Sequence, residues 1–392
     1  MCDMADPVHG VAILGSTGSI GRQTLDVIRR MPERFHIVGL AGGSNHTLLE
    51  DQSREFHPDV VWCRDEKRHM DIKAASGTKA GWASMEEMAS HPDVDIVVVA
   101  TAGKAGLLPT LTALRAGKAV ALANKEVLVM AGHIVTQAAE QGGGELRPVD
   151  SEHSAIWQCL WGEDIASVER LMLTASGGAF RDLSPSELAH VTPEQALRHP
   201  TWDMGRKITV DCATLMNKGF EAIEARWLFN VPMDRIDIVM HRESVVHSLV
   251  EFADGSVKAQ LGEPDMRLPI QCALLYPERA GGSSAPRLNL VRTKALSFGA
   301  PELGRHPCLR LALEAGAKGG TYTAVLAAAD EVAVEHFIAG GIGFGDIAKV
   351  VDSTLSAHAG KADPTLDEVL EADRWATERA TGIADRAAPI TR

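Results

Sequence analysis

Val11-Ala-Ile-Leu-Gly15-Ser-Thr-Gly18-Ser-Ile-Gly21-Arg-Gln-Thr-Leu25-Asp-Val-Ile-Arg-Arg30 decides the fold. Four apolar residues, Val11 to Leu14, read as a short strand that runs straight into a turn with glycines at 15, 18 and 21. Behind the turn, Ile20, Leu25 and Ile28 carry helical spacing. Strand, glycine turn, helix is the context that a dinucleotide-binding fingerprint requires. Glycines let the backbone approach a pyrophosphate, and the helix start offers free N–H groups at a positive dipole end. The spacing is G-x-x-G-x-x-G, a variant, and a tight strand-to-helix turn without a ligand has the same local sequence.

Working outward, the next strand, Phe35 to Leu40, ends in Ala41-Gly-Gly-Ser-Asn45. An NAD site calls for an Asp or Glu here to bind the ribose hydroxyls. None is present, so NADP is favoured, although the turn holds no Arg or Lys either. Apolar strands continue at Val60–Trp62, Asp95–Ala100 and Ala119–Asn124, with helical stretches between them such as Ala105–Ala116. Strands of this kind alternating with helices predict a parallel sheet covered on both faces, a Rossmann-like domain. Asn124-Lys125-Glu126 falls at the carboxyl end of a strand, where such sheets bind ligands; a helix-start Asn followed by an exposed Lys-Glu pair fits equally well.

Asp150-Ser151-Glu152-His153 follows an extended Leu146-Arg-Pro-Val. Asp150 and Glu152 are two apart on what reads as an extended segment, so both carboxylates point to one side. The alternative is complementation of a helix dipole. Arg170–Ala175 reads as a strand ending in Ser176-Gly-Gly178, a turn able to offer a hydroxyl and N–H groups to phosphate, or simply a loop. Val245–Phe252 and Val257–Leu261 flank Asp254-Gly255, a hairpin signal, so the middle third has its own partly antiparallel sheet.

From about Ala213 to Phe229 the apolar spacing is helical. On that helix Asn217, Lys218 and Glu221 share one sector, which suits a ligand carrying a phosphate and a metal ion. A solvated face with a Lys-Glu pair is the plainer account. With Asp150 and Glu152, Glu221 would complete an all-oxygen donor set that selects Mg²⁺ or Mn²⁺ over Zn²⁺ or copper. Gly281–Pro307 reads as a linker, and Leu309–Ala315, Thr321–Ala339, Phe344–Ala357 and Thr365–Ala380 as a small helical bundle with Thr321 and Thr365 as N-caps.

Bulk properties remove other classes. The 392 residues allow two or three domains. A formal charge of −13 without a basic block argues against nucleic acid. Six scattered Cys without a CxxC fit a reduced, cytoplasmic setting, and no secretion signal or membrane-length apolar run is seen.

The order GSTGSIG, ALANKE, VDSEH, SGG, HPTWDMGRK, MNKGFEAIEARWLF, HRESVVHS, DGSVKAQLGEPDMRLPI, AADEVAVE resembles the 1-deoxy-D-xylulose 5-phosphate reductoisomerase family, from about Val11 to Leu355. The resemblance implies an NADPH-binding Rossmann-like domain at 1–150, a catalytic α+β domain at 151–282 with a flap near 199–207, a linker at 283–307 and a C-terminal bundle at 308–392. It assigns Thr17, Gly18, Ser19, Ile20, Gly43, Ser44, Asn45, Asn124, Glu126 and Gly205 to NADPH. It assigns Asp150, Glu152 and Glu221 to one Mn²⁺ or Mg²⁺, with Co²⁺ as a further option. Lys125, Ser151 and Glu152 would meet the hydroxyl and carbonyl end of a sugar phosphate, with Lys125, Asp150, Glu152 and Glu221 as the catalytic set. Ser176, His199, Cys212, Asn217 and Lys218 would line the phosphate end, and Trp202 and Met204 a closing flap. The implied chemistry is a retro-aldol and aldol rearrangement followed by hydride transfer, in a homodimer. Four positions depart from the family pattern: Ser44 where many relatives carry a basic residue, Cys212 for Ser, Ala179 for Pro and Asp330 for Asn.

Two other classes fit these residues less well. A semialdehyde-type dehydrogenase shares the opening turn but needs a catalytic Cys with a His base, and no Cys stands in such a motif. A non-catalytic NADP sensor would have no use for Asp150, Glu152 and Glu221.

Overall fold

The computed structural model describes residues 8–65, 67–77, 80–198, 202, 204–281 and 285–387. The chain forms two compact units. The first takes the chain up to Val127, Val135–Ser154 and Asp265–Pro286; the second takes Leu128–Ile134, Ala155–Pro264 and the chain from Arg287. Asp265–Pro286 therefore joins the unit of the glycine turn, whereas the sequence reading runs the catalytic segment on to 282.

The first unit is built on seven strands: β1 (His9–Leu14), β2 (Phe35–Gly42), β3 (Val60–Cys63), β4 (Gly81–Trp82), β5 (Ile96–Val99), β6 (Ala119–Leu122) and β7 (Glu145–Pro148). They lie in the order β4-β3-β2-β1-β5-β6-β7, and every pairing is parallel. Strands without a polar face must be covered on both sides, and Val11–Leu14 and Ile96–Val99 are buried throughout. Each Val, Ile and Leu side chain among them contributes about 1.5–3 kcal/mol of transfer free energy. The order reverses between β1 and β5, so the sheet's switch point opens at the carboxyl ends of these two strands. The helix Ser19–Arg29 turns Leu25, Val27 and Ile28 inward and packs on the helix Arg267–Leu275, which supplies Ile270 and Leu274 to the same core.

The second unit holds a four-stranded sheet: β8 (Val168–Ala175), β9 (Ile236–Met240), β10 (Val246–Phe252) and β11 (Val257–Leu261), ordered β11-β10-β8-β9. The hairpin at Asp254-Gly255 is present, β8 pairs antiparallel with β10, and β9 joins β8 in parallel. The sequence reading has no strand at β9. Beneath the sheet runs the helix Met216–Phe229, packed on the helix Pro307–Lys318. Gly219 makes that packing close: a Cβ there would stand 2.2 Å from Ala312 Cβ.

The predicted helix from Ala213 is two helices, Arg206–Thr214 and Met216–Phe229, broken at Leu215 in the left-handed region (φ 60°). The bundle follows as Thr321–Ile338, Phe344–Ser356 and Leu366–Ala384. Thr365 caps the last helix in a capping box with Glu368. Thr321 is not a cap: Gly320 holds that position, and Thr321 Oγ1 lies 2.8 Å from His358 Nε2. The stretch expected to be a linker is tied down, with Met240 and Gly299 bridged as in a sheet and Phe298 stacked on buried His241 at 4.8 Å. Among the described residues no helix is long and apolar enough to cross a membrane.

Candidate active site

In the first unit the glycine turn sits at the switch point. Gly15 has φ +99°, and a Cβ on it would lie 2.4 Å from the Ala100 carbonyl oxygen at the end of β5. Gly18 caps the following helix in an extended conformation with no side-chain hydrogen bond. The first-turn N–H groups are thus left for an anion, as a dinucleotide pyrophosphate requires. Thr17, Ser19 and Ile20 are half-buried around the turn, and Gly18 is exposed. A Cβ at Gly42 would lie 3.2 Å from Thr17 Cγ2, so the end of β2 adjoins this turn. Gly43, Ser44 and Asn45 follow directly, with Asn45 capping the helix His46–Phe56 through Leu48 N at 3.2 Å. The cradle fits a dinucleotide because side chains are excluded where the pyrophosphate would lie.

At the end of β6, buried Asn124 donates to Thr101 O at 2.9 Å and Gly103 O at 2.8 Å, and accepts from Val127 N. It is a helix cap that fixes the loop after β5, so its side chain is committed to the protein. Beside it, Lys125 is only 6% exposed and donates to Asp150 Oδ2 at 2.8 Å. Glu126 is half-buried in the same first turn.

The extended reading of Asp150-Ser-Glu152 is corrected. The chain enters the helix Ser151–Leu160 at once, so Asp150 precedes it and Glu152 lies in its first turn. Asp150 Oδ1 accepts from Ser151 N at 3.1 Å, and Ser151 Oγ donates to Glu152 at 2.6 Å. A helix start orients both carboxylates here, in place of period-two alternation.

The second unit carries the other assignments. Ser176-Gly-Gly178 turns through φ +89° and +68° at the glycines, and a Cβ at Gly178 would lie 2.4 Å from Cys212 O. The turn therefore rests on the helix Arg206–Thr214 beside Cys212. Arg181 fixes it, donating to Ser176 O and Arg242 O at 3.2 Å each. Asn217 and Lys218 both donate to Glu221, each at 2.5 Å. This trio is no solvated face, with Asn217 at 7%, Lys218 at 5% and Glu221 at 1% exposure. Asn217 Oδ1 is buried without a hydrogen-bond partner among the described residues. Gly205 caps the helix Arg206–Thr214, and Trp202 and Met204 are half-buried just ahead of it. His199 and part of the expected flap lie outside the described residues.

Sequence reasoning missed two supports. Arg181 gives no motif signal. Lys207 joins buried Asp211 at 2.6 Å and buried Asp330 at 2.8 Å, and stands over the Phe220 ring at 5.1 Å. The Lys207–Asp211 step of four residues was legible; the reach to Asp330 was not.

A parallel sheet with a glycine cradle at its switch point, together with lysine-paired carboxylates, defines the class as a pyridine-dinucleotide-dependent oxidoreductase. Three family models match the chain: 1-deoxy-D-xylulose 5-phosphate reductoisomerase over residues 11–132, its C-terminal domain over 146–229, and the DXP reductoisomerase C-terminal domain over 261–379. A 1-deoxy-D-xylulose 5-phosphate reductoisomerase from Pelotomaculum thermopropionicum is 53% identical over 94% of this chain and 97% of its own. One from Bacillus cereus is 50% identical over 96% and 98%. The solved structure of the Zymomonas mobilis reductoisomerase with NADPH superposes with a TM-score of 0.90 at 40% identity, over 97% of this chain and all of that one. A reductoisomerase structure holding NADPH, fosmidomycin and magnesium also gives 0.90 at 40% identity, over 96% and 98%. The chain belongs to the 1-deoxy-D-xylulose 5-phosphate reductoisomerase family.

Proposed function

We infer that the chain is an NADPH- and divalent-metal-dependent reductoisomerase converting 1-deoxy-D-xylulose 5-phosphate to 2-C-methyl-D-erythritol 4-phosphate, a step toward isoprenoid precursors. The observation that carries this is the buried Glu221–Lys218 pair, with half-buried Asp150 held by buried Lys125. Buried ion pairs are poor stabilisers, so a helix that hides one has reason to keep it for chemistry.

In this reading Asp150, Glu152 and Glu221 together hold one Mg²⁺ or Mn²⁺, a hard ion suited to all-oxygen donors. When bound, the ion supplies a Lewis acid and template for the ketone and a neighbouring hydroxyl during the retro-aldol and aldol rearrangement. When bound, NADPH on the glycine cradle supplies the hydride for the rearranged aldehyde. The protein's own part is placement. Ser176, with its turn pinned by Arg181, and Asn217 and Lys218 bind the phosphate, with His199 as a further ligand. Cys212, beside the turn, offers only a weak thiol donor. Lys125 and Ser151 orient the hydroxyl and carbonyl end, and Trp202 and Met204 close over the substrate and exclude water. Gly205, Asn124 and Glu126 complete the cofactor site. The division into a dinucleotide domain at 1–150, a catalytic domain at 151–282 and a bundle at 308–392 belongs to this proposal.

NADPH oxidation should require both 1-deoxy-D-xylulose 5-phosphate and a divalent ion. Chelation should remove nearly all turnover, and added Mg²⁺ or Mn²⁺ should restore it. Turnover that survives chelation overturns the reading.

A homodimer is part of the same proposal. Leu290, Val291, Leu296, Phe298 and Leu303 are exposed within one stretch of chain, Val291 at 88%, and a second copy would cover them. Sedimentation equilibrium should give twice the chain mass, and Val291→Asp should shift it toward the monomer. The free thiols at Cys63, Cys159, Cys212, Cys272 and Cys308 support a reducing, cytoplasmic setting.

A further inference from the structure

The 2′-phosphate that separates NADPH from NADH needs a cation at the end of β2. The turn there, Gly43-Ser44-Asn45, supplies none. The sheet supplies one from the neighbouring strand. Gly42 pairs with Cys63 in the β2–β3 register, and the next residue, Arg64, donates its N–H to Gly43 O at 3.5 Å. Arg64 and Ser44 are both exposed. Space is available beside them, because a Cβ at Gly43 would meet nothing within 4 Å.

Two further features favour an anion at this spot. The helix His46–Phe56 starts here with its positive dipole end. The end of β2 also adjoins Thr17 of the pyrophosphate turn through Gly42, so the turn at Gly43 directly follows a residue that borders the cradle. We propose that Arg64 is the specificity-determining residue for NADPH, binding the adenosine 2′-phosphate in place of a basic residue at position 44. The inference rests on the NADPH reading above. Arg suits this role because it stays charged and its planar fork matches a phosphate with paired N–H donors. Lys67 is exposed too, but its backbone is held by Asp65 and not by the β2 turn.

The test is calorimetric binding of NADPH, NADH and adenosine 2′,5′-bisphosphate to the wild type, Arg64→Ala and Lys67→Ala, at two salt concentrations. Arg64→Ala should weaken NADPH and the bisphosphate roughly tenfold to a hundredfold, the size of a charge-assisted contact to phosphate. NADH affinity and the melting temperature should stay unchanged, and Lys67→Ala should stay near wild type. Adding Ser44→Lys to Arg64→Ala should restore much of the preference, and the salt dependence of NADPH binding should be shallower in Arg64→Ala alone. Equal weakening of NADPH and NADH would mean that Arg64 only shapes the loop, and no weakening would mean no contact; either overturns the proposal. A wild type that binds NADPH but is indifferent to Arg64 sinks this inference alone. A wild type that binds neither dinucleotide sinks the functional reading with it.

Discussion

Glu221→Gln should lower kcat/KM for 1-deoxy-D-xylulose 5-phosphate by about 10³-fold or more, since a metal's Lewis-acid contribution is worth several kcal/mol. The exchange removes one charge and almost no volume. Two consequences separate in magnitude. The Gln side chain still offers one acceptor to Asn217 or Lys218, which now donate to Glu221 at 2.5 Å each. The fold therefore loses less than the roughly 3–5 kcal/mol of a fully broken buried pair. The metal loses an anionic oxygen for which an amide is a poor substitute, and that loss falls wholly on turnover. Melting temperature, Mn²⁺ affinity and single-turnover rate measured together distinguish the two. The expected pattern is a modest melting shift, weak ion binding and near-absent turnover, with Glu221→Asp intermediate. Glu221→Gln protein that binds Mn²⁺ and turns over like the wild type would remove Glu221 from the metal site and take the proposed donor set with it.

Much of the fold was legible because its signals are local. Val11 to Ile28 contains strand, turn and helix within one reading frame, and the C-terminal helices carry their apolar spacing on their surface. The misses arose where a distant partner decides the local state. β9 alternates Ile236, Ile238 and Met240 with Asp237 and Val239, yet it becomes a strand by pairing with β8 some 65 residues earlier, a step whose loop-closure cost no local pattern announces. Leu215 adopts φ 60°, which a Leu does not signal, and the apolar spacing runs through the break as if the helix were continuous. Asp150 and Glu152 stand out in the sequence as a pair, but on the wrong geometry, because alternation and a helix start share the same two letters. The trio at 217, 218 and 221 falls on the right helix, but its burial comes from neighbours that the window does not contain. Arg64 was invisible for the same reason: it reaches the β2 turn only through strand register.

Gly21→Ala should damage the nucleotide half where its turn meets its first helix. A Cβ on Gly21 would lie 2.3 Å from Gly15 O and 2.5 Å from Ser16 Cα, both backbone, so no side chain can rotate out of the way. Ala in a helix is favoured over Gly by about 1 kcal/mol. Overpacking costs about 1–3 kcal/mol, and here the obstacle is the rigid turn itself, so the clash prevails and a net loss of up to about 2 kcal/mol is expected. Relief requires the start of the Ser19–Arg29 helix to move away from the glycine turn by about 1 Å, a displacement that can cost about 10²-fold in function when it falls on a binding constellation. NADPH affinity should therefore drop far more than stability does. Gly43→Ala is the matched control, with nothing within 4 Å of its Cβ and no left-handed backbone; it should melt near the wild type. If Gly21→Ala binds NADPH as tightly as the wild type, the pyrophosphate does not sit on this helix start. The dinucleotide must then dock elsewhere on the sheet, because a cradle that tolerates a methyl between its turn and its helix is not holding a phosphate by the backbone.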